Sequence, residues 1–122
     1  MRSVIINENN LLAKKTYLVI ISMEKSIPHC RLIDVKALIE LGKVRATSSA
    51  FSGARDLGLH NLAAMCEVVM ALTSADFYKS MTTLADHRIW QDVYRAELVN
   101  GDRVYLKLTV VDDVLIVSFK EL

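Results

Sequence analysis

The chain of 122 residues carries 15 basic and 14 acidic side chains, a formal net charge of +1, and 52% of its residues are hydrophobic. That length supports one domain with a real core. The near-neutral charge excludes a broad polycationic nucleic-acid binder but leaves room for a local cationic site. No stretch approaches ~18 consecutive apolar residues, so the sequence predicts no membrane span.

Residues 1–22 read MRSVIINENNLLAKKTYLVIIS. Asn7-Glu8-Asn9-Asn10 and Lys14-Lys15 interrupt the apolar runs, so no signal-peptide core of adequate length forms. The segment is read as an extension ahead of a single domain over 23–122: an upstream start, or an added strand over 16–21. Residues 32–41 predict a helix with Leu32, Val35, Leu38 and Ile39 on one stripe, closed by Gly42. A short strand over 44–47 follows. Ser48 or Ser49 can cap a second helix that runs to Leu57 and ends at Gly58. Asn61 can cap a third, with Leu62, Met65, Val69 and Leu72 inward. Thr73-Ser74-Ala75-Asp76 has the capping-box pattern with Asp in place of Glu. It predicts a short helix with Phe77 and Met81 on one side and Lys79 pointing elsewhere. A polar connector over 80–87 leads onward.

Residues 90–120 read as three antiparallel strands, because Val, Ile, Tyr, Phe and Thr recur there with period-two alternation. Asn100-Gly101-Asp102 marks one tip and Asp112-Asp113 the next. A two-residue second tip pairs Val111 with Val114, Thr109 with Ile116, Lys107 with Ser118 and Tyr105 with Lys120. Val104, Leu106, Leu108 and Val110 then share an apolar face with Leu115, Val117 and Phe119. An odd first tip sets Leu98 opposite Val104, and adds Trp90, Tyr94, Ala96 and Leu98 to that face. Asp92 also falls on it, an anomaly that an edge position would relieve. The opposite face gathers Gln91, Arg95, Tyr105, Lys107 and Lys120. Three cations, a phenol and an amide on a rigid sheet suit a phosphodiester: cations stabilise developing phosphate charge, and the phenol and amide orient groups by hydrogen bonds. The same face is also compatible with an ordinary solvated sheet surface.

Cys30 and Cys66 form no CxxC pair, and His29, His60 and His87 have no metal-ligand spacing, so no metal site and no cofactor are expected. Two free thiols fit a reducing cytoplasm. No glycine-rich phosphate loop, HExxH motif or GxSxG elbow is present. His87 lies one strand-length from the polar face, where a catalytic role competes with a structural or RNA-contact one.

The runs MEKSIPHCRLIDVKALIELGKVRATSSA, ADFYKSMTT, DHRIWQDVYR and VYLKLTVVDDVLIVSFKEL closely resemble the motility quorum-sensing regulator (MqsR) toxin family, from Met23 to Leu122. The resemblance implies an α+β, RelE-like toxin fold with N-terminal helices packed on an antiparallel sheet. It implies a messenger-RNA endonuclease of a type II toxin–antitoxin system, with a cognate zinc-binding helix-turn-helix antitoxin and no direct DNA binding by the toxin alone. The family's lysine, glutamine, tyrosine and lysine fall on FYK, IWQ, VYL and SFK, which are Lys79, Gln91, Tyr105 and Lys120. Three of these four lie on the polar face already derived from the strand pattern. Arg95, Lys107 and His87 are then expected RNA contacts. The expected chemistry is metal-independent attack of a ribose 2′-OH on the adjacent phosphate. The competing expectation is a non-catalytic, sheet-based binding module that acts in transcriptional control through a partner.

Overall fold

A computed structural model describes residues 23–122; the two readings of residues 1–22 lie outside the described residues. The architecture is α+β. In chain order it comprises β1 (Glu24–Lys25), α1 (Leu32–Glu40), β2 (Val44–Ala46), α2 (Ser48–Asp56), α3 (Leu62–Met70), a 3₁₀ turn (Ser74–Asp76), β3 (Phe77–Thr82), β4 (Trp90–Glu97), β5 (Arg103–Val111) and β6 (Asp113–Glu121). The strands form one six-stranded sheet in the order β1-β3-β4-β5-β6-β2. Every pairing is antiparallel except β2 with β6.

The helices start and stop for local reasons. Thr47, rather than either serine, caps α2: its hydroxyl accepts from Ala50 N at 3.0 Å. Asn61 Oδ1 accepts from Ala64 N at 2.9 Å and caps α3. Gly42 and Gly58 follow α1 and α2 at positive φ, where glycine carries no Cβ penalty. Val35 of α1, Ala50 and Ala54 of α2, and Met65 and Val69 of α3 share one buried cluster with Tyr94, Leu106, Leu108, Val114, Ile116 and Phe119 of the sheet. Gly53 allows α2 to press directly on β6, since a Cβ there would lie 1.7 Å from the Phe119 carbonyl oxygen.

The predicted helix after Asp76 does not form. The Thr73–Asp76 capping box is present, but it closes only one 3₁₀ turn. Phe77 then enters an extended conformation and Lys79 lies in β3. Ser80 and Thr82 fill the buried positions of that strand. Their hydroxyls are used: Ser80 Oγ donates to the Gln91 carbonyl at 3.5 Å, and Thr82 Oγ1 accepts from Met23 N at 2.9 Å.

Both tips of the meander differ from the expected register. At the first, Ala96 rather than Leu98 faces Val104. The loop is odd, as expected, and a slip of two keeps every side chain on its face. Gly101 takes φ 94, and Asn100 Oδ1 accepts from Asp102 N at 2.9 Å. At the second, Asp112 alone forms the tip at φ 68, so Val111 faces Asp113 and Val110 faces Val114. This odd tip turns Val114 and Ile116, not Leu115, into the core. A bulge then restores the expected parity: Leu108 faces Ile116 and Lys107 faces Ser118, which leaves Val117 without a partner. Phe119 is buried and Val117 is not. Thr47 anchors the bulge by donating its hydroxyl to the Val117 carbonyl at 2.7 Å.

Asp92 lies on a central strand, not an edge. It is only 5% exposed, and its two carboxylate oxygens accept from the backbone N–H groups of His29 and Cys30, each at 2.9 Å. A carboxylate is tolerated on the apolar face because it ties the segment between β1 and α1 to the middle of the sheet.

Candidate functional site

The ladder carries the polar face across four neighbouring strands. Lys79 pairs with Val93, Val93 with Lys107, and Lys107 with Ser118. One step along, Arg95 pairs with Tyr105 and Tyr105 with Lys120. Gln91 pairs with Met81 and shares the parity of Val93 and Arg95 on β4. Strands lie ~4.8 Å apart, so Lys79 and Lys107 are separated by roughly 10 Å of backbone and Tyr105 and Lys120 by half that. The face thus brings Lys79, Gln91, Arg95, Tyr105, Lys107 and Lys120 together. His87 stands apart, exposed in the connector before β4.

The electrostatics follow from this packing. Lys107 is pushed below the ordinary lysine range, first by burial and then by repulsion from Lys120 and Lys79. Lys79 is pushed the other way, chiefly by its hydrogen bond to Glu24, with smaller help from Tyr78 and Tyr105. Its Nζ lies 2.6 Å from Glu24 Oε2 on β1. Val93 explains the burial. It occupies the polar face yet is 0% exposed, and its ladder neighbours are Lys79 and Lys107. Lysines in such neighbouring positions can lay their methylene stems over an apolar residue and keep their ammonium groups in water. The arrangement is a cationic rim over an apolar floor, with a phenol beside the last lysine. Such a surface can seat a phosphate and stabilise added negative charge on it.

Comparison with known proteins gives the chain a family. Residues 27–121 match the sequence family described as "Motility quorum-sensing regulator, toxin of MqsA". The chain is 60% identical over 99 residues to the mRNA interferase toxin MqsR of Escherichia coli (strain K12), a span of 81% of this chain and 99% of that protein. The chain belongs to the MqsR toxin family. The family match covers every residue from Lys79 to Lys120 on the polar face, while Glu24 lies just ahead of it.

Four features of this MqsR-family chain escaped the sequence. Glu24 gives no signal, because its pairing with Lys79 spans 55 positions. Val93 falls on the polar face in the strand pattern, but nothing in that pattern marks it as buried. Tyr78 is hidden by a bulge: Phe77 faces Tyr94 and Lys79 faces Val93, so Tyr78 has no ladder partner. The Arg95 guanidinium lies 3.5 Å from the centre of its ring. At the other end of β4, His29 stacks on Trp90 with ring centroids 5.7 Å apart, and Lys25 Nζ lies 4.2 Å from the centre of the Trp90 ring. Nothing in the sequence pattern hints at it, because Lys25 and His29 lie more than sixty positions ahead of Trp90. No described helix is long and apolar enough to cross a membrane.

Proposed function

We propose that the protein is a ribonuclease toxin that cleaves messenger RNA, and that Lys79, Gln91, Tyr105 and Lys120 form its catalytic set. The observation that carries this reading is the convergence of Lys79, Lys107 and Lys120 with Tyr105 on one sheet face. The family membership supports it, as does the similarity to the mRNA interferase toxin of Escherichia coli. We read the arrangement of helices and sheet as RelE-like. The toxin works in the cytoplasm, and an antitoxin of the zinc-binding helix-turn-helix kind, related to the MqsA of the family description, neutralises it.

The chemistry needs no metal in this reading. A ribose 2′-OH gives up its proton and attacks the adjacent phosphorus in line, the P–O5′ bond breaks, O5′ takes up a proton, and a 2′,3′-cyclic phosphate and a 5′-OH result. Lys79 and Lys120 lie on opposite sides of the face and hold the non-bridging oxygens as charge builds on them. Tyr105, directly across from Lys120, positions or exchanges a proton with a reacting oxygen. Gln91 orients the phosphate or a base through its amide. Arg95, Lys107 and His87 contact the flanking RNA. Lys107 keeps the local potential positive, although burial and repulsion from Lys120 and Lys79 make its charge costly.

The test is cleavage of a defined RNA oligonucleotide in excess EDTA, with the product ends analysed. Cutting with 2′,3′-cyclic phosphate and 5′-OH ends is expected. Intact RNA, or cutting that EDTA abolishes, would refute the mechanism. Expression of the toxin without its antitoxin should also arrest growth, and normal growth with intact mRNA would refute the toxin reading.

A further inference from the structure

Tyr78 is the one large aromatic side chain among the exposed apolar residues of the described chain, at 43% exposure. Exposed aromatics cost solvation, so an ordered one beside a reactive site has a candidate use. Its place is set by the bulge between Phe77 and Lys79, which inserts it beside the polar face. The Arg95 guanidinium carbon lies 3.5 Å from its ring centre and Lys79 Nζ 5.3 Å from it. Among the described residues β1 pairs only with Ser80 and Met81 on the outer edge of β3, and no described strand covers that edge beside Tyr78. A groove of about 450 Å³ adjoins the pair, lined by Asp76, Tyr78, Arg95, Glu97 and Arg103 among others.

Resting on the ribonuclease reading above, we propose that Tyr78 and Arg95 form a stacking subsite for one unpaired nucleobase of the RNA. The base sits in the groove, immediately beside the phosphate held by Lys79. Single-stranded RNA is bound by planar side chains that take the face of an unstacked base, with cationic side chains tracking the backbone. Both parts are present in the required order. Lys79 Nζ lies 5.3 Å from the ring centre, so a base on the ring sits next to a phosphate held by the lysine. Arg95 adds a second planar, cationic surface, held in place by the ring. Stacking tolerates any base, so the subsite supplies affinity and register rather than sequence preference. An intramolecular Tyr–Arg pair that only stabilises the fold is the competing role, and it predicts no dependence on the RNA base.

The experiment measures kcat/KM on an RNA oligonucleotide and on copies with a single abasic ribose at each position flanking the cut. Wild-type protein should lose roughly tenfold to a hundredfold at one position, the usual worth of one stacked base. Tyr78→Ala should lose a similar factor on intact RNA, mostly in KM, and pay no further penalty for the abasic residue at that position. Tyr78→Phe should match wild type, and Tyr78→Leu should match alanine. Equal abasic penalties in wild type and Tyr78→Ala at every position would overturn the subsite alone. Failure of wild type to cut the intact RNA would overturn the ribonuclease reading and the subsite with it. Should the alanine variant not fold, the leucine and phenylalanine variants decide: identical abasic profiles for both would overturn the proposal.

Discussion

The carboxylate of Glu24 holds the ammonium of Lys79 at 2.6 Å across the outer strand pair of the sheet. The lysine that the proposed mechanism assigns to the phosphate is therefore already paired, and RNA must compete with a glutamate for it. Glu24→Gln should release that competition. Because the pair is partly exposed, the gain is small: about fivefold or less in KM at low salt. The salt dependence is the sharper readout. One more free cation facing a single strand should steepen the log affinity against log salt by about 0.7. An unchanged slope would show that Lys79 does not meet the RNA backbone.

Tyr105 and Lys120 face each other on β5 and β6, where neither contributes to the buried core. Lys120→Ala should therefore cost little in stability, within about 0.5 kcal/mol. Its cleavage rate should fall by ~10²–10³-fold if the ammonium stabilises developing charge. Tyr105→Phe should lose ~10²–10⁴-fold if the hydroxyl handles a proton. Cleavage assays run beside thermal melts check both. Near wild-type cutting by Lys120→Ala with an unchanged melt would remove this lysine from the site.

Lys107 gives a pH signature whose sign follows from its depressed folded-state value. Between the folded value and the ordinary unfolded value of ~10.4, the unfolded chain binds more protons, so stability rises with pH in that window. Below it the full penalty for a crowded, half-buried charge is present. Lys107→Met should therefore melt above wild type at pH 7, by a margin that shrinks as the pH approaches the unfolded value. RNA affinity should fall in the same variant. A margin that grows with pH would contradict the crowding.

Asp92 makes a structural prediction. Asp92→Ala leaves the N–H groups of His29 and Cys30 without their acceptors, at a cost of about 3 kcal/mol. Denaturant melts should show it. The loss should also loosen the segment that carries His29 onto Trp90, which tryptophan fluorescence reports.

How far the sequence could be read depended on what the alternation concealed. The three-strand meander was legible because the alternation of β4 and β5 survives the exceptions at Asp92 and Val93, with Tyr94 and Ala96 inward and Arg95 and Glu97 outward. The polar face followed from it. β3 was not legible: its inward positions are Ser80 and Thr82, so the buried face carries hydroxyls and the apolar signal moved to Phe77 and Met81, four apart as in a helix. A genuine capping box just ahead reinforced the wrong period. The register of β6 was illegible for another reason. Val114, Leu115, Ile116 and Val117 are apolar on both parities, so only the tip length could choose between them, and Asp112 at positive φ made that tip odd. Asp92 was noticed as an anomaly, but its partners lie more than sixty residues earlier.

The odd tip at Asp112 and the extra residue at Val117 cancel, and that cancellation is what keeps Lys120 turned toward Tyr105. Removing either departure by itself would swing Lys120 into the interior and Phe119 out to solvent, since a one-residue slip exchanges the faces of a strand. Removing both together would leave the site untouched. What the hairpin must preserve is thus a parity and not a length. Insertions and deletions between 111 and 118 should be tolerated in pairs and rejected singly. A library with length variation at those two points should therefore sort into active and inactive members by whether the total change is even or odd.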